Sequence, residues 1–318
     1  MKKNWIIFLC LICTSFSNQR NDSDLSIGFW NVENLFDLEN DPDKRDDEFS
    51  LNGRKKVTKE IYDLKIKNSA EVLYDLNVDV LGLCEVENRK VLNDLNNSYR
   101  SRNYSIIHYD SPDERGIDNA LLYDKDKFSI ITSKPIQNNL GRDDKTRDIL
   151  YVKGLYKNSA LHIFVNHWPS NYGGKELAIP KRKSTALLIM QQISEIQKNE
   201  NNAEIILLGD FNEDPTDENV TLLYDLGFIS LMEPMIGIPK TGTYLYRGKD
   251  YFYDQIIINK ALNEDGNLKV INKSIYILDL PKYRQQEGKY KRYPYRFWAG
   301  NRLLGLSLIH ISEPTRLG

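Results

Sequence analysis

Gly209-Asp210-Phe211-Asn212 is the sharpest chemical signal in the chain. A carboxylate and an amide just past an apolar run can point the same way, position a water and hold a phosphoryl oxygen. The same four residues also read as an Asp-Asn turn closing a buried strand. Glu85 ends a second apolar run, Val78 to Cys84, and Asn31 ends a third. One carboxylate with one amide is the sparse oxygen set that suits Mg²⁺, an ion that keeps several of its waters. Spacing alone does not choose Glu85 over the nearby acids Glu33 and Glu87, and Glu85 is also placed to cap a helix starting near Asn88. Asn166-His167-Trp168-Pro169-Ser170 brings an amide and an imidazole to a fourth strand end, where a histidine serves structure or catalysis equally well.

These residues need strands to deliver them. Val78 to Val86 and Ile205 to Gly209 read as strands buried on both faces, and Ser26 to Trp30 as a short β run. The first two echo each other, since each ends on a carboxylate at the strand's C-terminal end, where α/β folds tend to place ligands. Asn119 to Tyr123, Ile149 to Tyr156 and Leu161 to Asn166 are further strands. Thr58 to Leu76 spaces Ile61, Leu64, Val72, Leu73 and Leu76 as a helix, and Ala186, Leu187, Met190, Ile193 and Ile196 mark a second. The pattern is α/β with no linker-like break, hence one domain, from about residue 24 to 305. Glu39 to Lys56 is a charged loop without the glycine and closing glutamate of a calcium-binding hand.

The 318 residues are 41% hydrophobic and 28% charged, a globular balance, with a formal net charge of −2. That charge argues against a protein that holds nucleic acid tightly by neutralising phosphates, and much less against one that cuts and releases it. Residues 1–17 read as an export signal: Lys2 and Lys3, the apolar run Ile6 to Phe16, and small residues at the cleavage site. The run is too short to span a membrane. The expected location is periplasmic or extracellular, with no membrane span after signal cleavage. The mature chain keeps only Cys84, which excludes an internal disulfide and makes a zinc site improbable. Any metal should be held by oxygen.

Six blocks occur in the order of one superfamily: Trp30-Asn31-Val32-Glu33-Asn34-Leu35-Phe36, Cys84-Glu85-Val86-Glu87, Arg115-Gly116-Ile117-Asp118-Asn119-Ala120-Leu121, Asn166-His167-Trp168, Gly209-Asp210-Phe211-Asn212 and Tyr253-Asp254-Gln255-Ile256. The chain resembles the endonuclease/exonuclease/phosphatase superfamily, its exported bacterial branch most. The resemblance implies a four-layer α/β sandwich of two face-to-face mixed β-sheets flanked by helices, with the site at one end. It implies Mg²⁺, or Mn²⁺ in its place, bound by Asn31 and Glu85. Asp210 would handle the attacking water, Asn212 hold phosphate, His167 contact the scissile phosphate, and Asp254 orient a histidine from the last strand. Arg115 and Asn166 fall where substrate is touched.

The family closes on a Ser-Asp-His motif, and this chain has none. Leu306 to Gly318 offers only His310, and one legal back-translation of Leu306 to Arg316 resembles the transposase adapter of sequencing libraries. The expectation is a non-native tail over 306–318, a final core strand missing, an open sheet edge and impaired turnover. Lys282 to Arg302 holds seven basic residues and four tyrosines with Glu287 the only acid. That composition suits a nucleic-acid strand or, equally, a packed loop over the sheet. The expected activity is hydrolysis of phosphodiester bonds in a nucleic acid substrate, with no stable protein partner implied. A phosphatase, a phospholipid-cleaving hydrolase or a non-catalytic binding protein are the alternatives.

Overall fold

The computed structural model describes residues 24–141, 144–305 and 311–317, so the segment read as an export signal lies outside the described residues. Chain order begins β1 (Leu25–Leu35), α1 (Lys59–Leu76), β2 (Val80–Val86), α2 (Arg89–Ser98), β3 (Ser105–His108) and β4 (Asp118–Tyr123). It continues with β5 (Phe128–Ile136), β6 (Ile149–Tyr156), β7 (Ser159–His167), α3 (Lys175–Asn199), β8 (Glu204–Asp210), α4 (Glu218–Tyr224) and β9 (Phe228–Ser230). A hairpin of β10 (Tyr244–Tyr246) and β11 (Lys249–Tyr251) leads into β12 (Asp254–Asn259). Two short strands, β13 (Trp298–Ala299) and β14 (Arg302–Leu303), precede β15 (Ile311–Leu317).

The strands make two mixed sheets, β15-β1-β2-β4-β3 and β5-β6-β7-β8-β12-β9. Each has one parallel pair at its centre, β1 with β2 and β7 with β8, because a long helix crosses between those strands. Alternation along the strands divides the apolar residues among three cores. Phe29, Val80 and Cys84 meet Val165, Ile206 and Leu208 between the sheets. Trp30, Leu81 and Leu83 turn outward to Val72, Leu73 and Leu95 of α1 and α2. Ile205 and Leu207 turn outward to Ala186, Ile189 and Ile193 of α3. The result is the expected helix–sheet–sheet–helix sandwich. Helix α1 starts where the Thr58 hydroxyl accepts the Ile61 N–H and ends at Asn77 in the left-handed region, φ 46°. Leu64 and Leu187 fall off the apolar stripes read from the sequence and face solvent.

The sheet edge expected to stand open is covered. Strand β15 runs antiparallel to β1, with Leu25 opposite Leu317 and Trp30 opposite Ile311. An exposed strand edge offers N–H and C=O groups to any extended segment, whatever its side chains, so a tail without the family's closing motif still pairs there. The register slips between Ile27 and Phe29, opposite Pro314, which has no N–H to give the ladder. His310 lies outside the described residues.

Gly209 shows how tightly β7 and β8 approach. A Cβ there would stand 2.5 Å from the Asn166 carbonyl oxygen and 2.6 Å from its Cβ. Gly209→Ala is therefore expected to destabilise the fold by about 1–3 kcal/mol, as overpacking does. Urea unfolding measures it, and an unchanged midpoint would show that the two strands can part without cost.

Candidate active site

The C-terminal ends of β1, β2, β7 and β8 come together at one end of the sandwich. Asn31 sits between two acids: its Nδ2 donates to Glu85 Oε1 at 3.3 Å and to Asp210 Oδ2 at 3.2 Å. His167 Nε2 lies 3.9 Å from both of those carboxylate oxygens. Asp210 Oδ1 accepts the Asn212 N–H at 2.9 Å, and Glu85 Oε2 accepts the Asn34 N–H at 2.9 Å. Both carboxylates are thus fixed in rotation as well as position.

The backbone is bent to achieve this. Glu33, Asn34, Glu85 and Asn212 have φ of 54°, 57°, 63° and 51°, all in the left-handed region that non-glycine residues avoid. Glu85 also lies at a shift of register between β2 and β4, between Cys84 and Val86. A bulge re-aims one side chain out of strand alternation, and here it turns Glu85 towards Asn31. Strain of this kind gathers where surrounding structure holds a functional geometry.

The other expected residues divide. Asp254 pairs with Asp210 across β8 and β12 and is fully buried. Burial, and then the charge of Glu85, hold its carboxyl well above the usual carboxylate range. Asn166, expected to touch substrate, is fully buried, and its amide donates to the carbonyls of Phe164 and Leu208. Strand alternation turns it inward while its neighbour His167 faces the cluster. Arg115 is half-exposed, 3.8 Å from Asp113. Asn31, expected on the cation, presents an N–H to the carboxylates, while its Oδ1 accepts the Glu33 N–H at 2.9 Å.

The two rival acids are otherwise engaged. Glu33 is paired with Arg296 at 2.9 Å, and burial outweighs that partner to raise its carboxyl. Glu87 Oε2 accepts the Asp37 N–H, and burial beside Asp37 and Asp46 pushes it up to about 8. Glu85 forms no ion pair with Lys or Arg among the described residues. A partly buried carboxylate facing a buried one across a neutral amide favours a positive charge between them. The oxygen-rich donor set therefore fits a hard divalent cation. A separate group, His108, Asp110 and Asp118, has ligand atoms within 4.8 Å of one another.

Two buried arginines escape sequence reading. Arg147 donates to the carbonyls of His167 at 2.9 Å and Trp168 at 2.7 Å, and lies 3.4 Å from Asp113. Arg182 pairs with Glu213 at 2.7 Å and donates to the Pro169 carbonyl. Both hold the turn after β7 that carries His167. Arg147→Met is expected to cost about 3–5 kcal/mol, because the His167 and Trp168 carbonyls lose a buried donor and Asp113 keeps only the more distant Arg115. Thermal and urea unfolding measure this, and a loss under 1 kcal/mol would reduce Arg147 to a peripheral brace.

The endonuclease/exonuclease/phosphatase family model matches residues 26–312. The chain belongs to this family. Its members are hydrolases that generally depend on a divalent metal. The fold is shared with truncated Caenorhabditis elegans TDP2, at TM-score 0.59 and 18% identity over 92% of this chain and 97% of that one. The human Nocturnin catalytic domain with bound sulfate aligns at TM-score 0.59 and 16% identity, covering 93% and 94% of the two chains. D. rerio TDP2 complexed with a single strand DNA product aligns at TM-score 0.56 and 15% identity, covering 93% and 100%. No curated protein matches the chain in sequence. Among the described residues no helix is long and apolar enough to cross a membrane.

Proposed function

We propose that the chain hydrolyses phosphodiester bonds of nucleic acid by direct attack of water, with Mg²⁺ as the working cation. The observation that carries this reading is the convergence of Glu85, Asp210 and His167 on Asn31, each carboxylate held by two hydrogen bonds. Asp210 takes the water's proton on Oδ2, the oxygen that faces His167. Asn31 and Asn212 keep that carboxylate from rotating. His167 Nε2 lies where it can donate to a phosphoryl oxygen as negative charge develops. Glu85 would hold the cation, which when bound neutralises charge on the phosphate and leaving group. The DNA product in the D. rerio TDP2 complex supports nucleic acid as the substrate class.

The test is hydrolysis of bis-p-nitrophenyl phosphate, p-nitrophenyl phosphate, and DNA and RNA oligonucleotides in Mg²⁺. Cleavage of diesters over the monoester supports the reading; turnover of the monoester alone overturns it. Export through residues 1–17 belongs to the same proposal, in which the enzyme meets nucleic acid outside the cytoplasm. Expression of the whole chain should yield a secreted product whose mass lacks the first seventeen or so residues. A product that keeps Met1 to Ser17 inside the cell would count against it.

A further inference from the structure

The β10–β11 hairpin carries an aromatic face that neither the cores nor the catalytic cluster uses. Leu245 and Phe252 turn inward and are buried. Alternation puts Tyr244, Tyr246, Tyr251 and Tyr253 on the other face. The Tyr244 and Tyr246 rings are parallel to within 7°, with centroids 6.1 Å apart. Tyr244 lies 5.2 Å from Tyr253 and 6.3 Å from Tyr251, and Tyr251 lies 5.1 Å from Tyr253. None of the four belongs to the three apolar cores, and Tyr246 is 47% exposed. Two cations rest on the outer rings: Lys249 Nζ is 4.5 Å from the Tyr251 centroid and Arg247 Cζ is 5.2 Å from that of Tyr246. Among the described residues neither cation forms an ion pair.

This face starts beside the catalytic carboxylate. The Tyr253 carbonyl accepts the Phe211 N–H at 2.7 Å, and the next residue, Asp254, is the cross-strand partner of Asp210. From there the rings run outward to the tip at Arg247-Gly248. That tip is braced: the Gly248 N–H donates to the Tyr293 hydroxyl at 2.8 Å, and Arg292 pairs with Asp250 at 3.1 Å. Tyr246 and Tyr253 lie within 7° and 25° of the plane of Tyr244, and Tyr251 is tilted by 42°. Such a row of rings, edged by two cations, suits successive bases and phosphates of one strand.

We propose that this hairpin face is a platform for single-stranded nucleic acid, with bases stacked on the tyrosines and phosphates drawn to Arg247 and Lys249. The proposal rests on the nucleic-acid reading above and narrows it to unpaired strands. A duplex hides its base faces and is held mainly through phosphate neutralisation, to which a chain of net charge −2 contributes little.

The experiment measures binding of a fluorescein-labelled oligo(dT), and of a duplex of equal length, to the full chain carrying Asp210→Asn, by anisotropy in Mg²⁺. The oligo(dT) is expected to bind at least tenfold tighter than the duplex. Adding Tyr246→Ala and Tyr251→Ala should weaken it by about 10- to 100-fold. Tyr246→Phe with Tyr251→Phe, which keep the rings, should restore binding to within about threefold. An alanine pair that binds oligo(dT) like its parent, or that loses single strand and duplex equally, overturns the platform while nucleic-acid cleavage by the unsubstituted chain still stands. If the unsubstituted chain neither binds nor cuts any oligonucleotide but hydrolyses another phosphoester, the nucleic-acid reading fails and the platform with it. Alanine variants that do not fold are recognised by their melting curves, and the phenylalanine pair with the single-strand preference then decides.

Discussion

Asp210→Asn is expected to lower kcat by about 10³-fold, within the 10²–10⁴ that a positioned general base contributes. The substitution removes one charge and no volume. The new side chain can keep one carbonyl oxygen for the Asn212 N–H, which Oδ1 now accepts at 2.9 Å. Its NH₂ would then face Asn31 Nδ2, which now donates to Oδ2 at 3.2 Å. Turning the Asn31 amide would relieve that contact only by setting its Oδ1 against Glu85 and its Nδ2 against the Glu33 N–H, so the fold should survive with a modest fall in melting temperature. Single-turnover cleavage of an oligonucleotide separates the chemical step from binding. If cleavage fell less than tenfold, Asp210 would lose its role as base. If binding and cleavage fell together, the variant would have damaged the site as a whole.

Much of the scaffold was legible because its strands are buried on both faces. Runs such as Val80 to Cys84 and Ile205 to Leu208 have no polar residue to confuse the period, and each leads into its carboxylate. What periodicity missed is where the backbone leaves regular geometry. Glu85 points into the site through a bulge and a positive φ, so strand alternation alone would have aimed it elsewhere. Only its place among ordered blocks singled it out over Glu33 and Glu87. Arg147 and Arg182 carry no local pattern at all. Each acts through carbonyls of the turn after β7, and Glu213 meets Arg182 only because β8 brings the two segments together.

Composition misdirected attention from one aromatic segment to another. Residues 282–302 are rich in tyrosine and cations, yet Tyr283, Phe297 and Trp298 are absorbed into the core beneath α1. Lys282, Arg284, Arg292 and Arg296 are spent on acids elsewhere in the fold. The packed-loop reading describes this segment. The hairpin Tyr244-Leu245-Tyr246-Arg247-Gly248-Lys249-Asp250-Tyr251 has fewer charges but strict alternation about a glycine turn, and that pattern is what keeps its rings on one face. Periodicity was the better guide there than the count of aromatic residues.

Chelation should abolish turnover, and Glu85→Gln should lower kcat/KM by about 10²–10⁴, since a cation at a transferring phosphoryl group contributes several kcal/mol. Among the described residues Glu85 has no Lys or Arg partner, and only the His167 imidazole stands near it, at 3.9 Å. Glu33 is held by Arg296 at 2.9 Å, and Phe297 donates its N–H to the same carboxylate. Lys65, buried and lowered to about 8 by that burial, gives its Nζ to the Val32 and Glu33 carbonyls and fixes the end of β1 from below. Glu33→Gln should therefore act on stability, because it strands Arg296 beside a neutral amide, and leave the Mg²⁺ requirement nearly where it was. Glu85→Gln should do the reverse: the Asn34 N–H keeps an oxygen to bind, the fold holds, and the Mg²⁺ concentration for half-maximal rate rises at least tenfold. Titrating Mg²⁺ against initial rate for both variants, alongside their melting curves, separates the two roles. A midpoint moved as far by Glu33→Gln as by Glu85→Gln would transfer the cation to the β1 side of the cluster, and the bulge at Glu85 would then have to be explained by Asn31 and Asp210 alone.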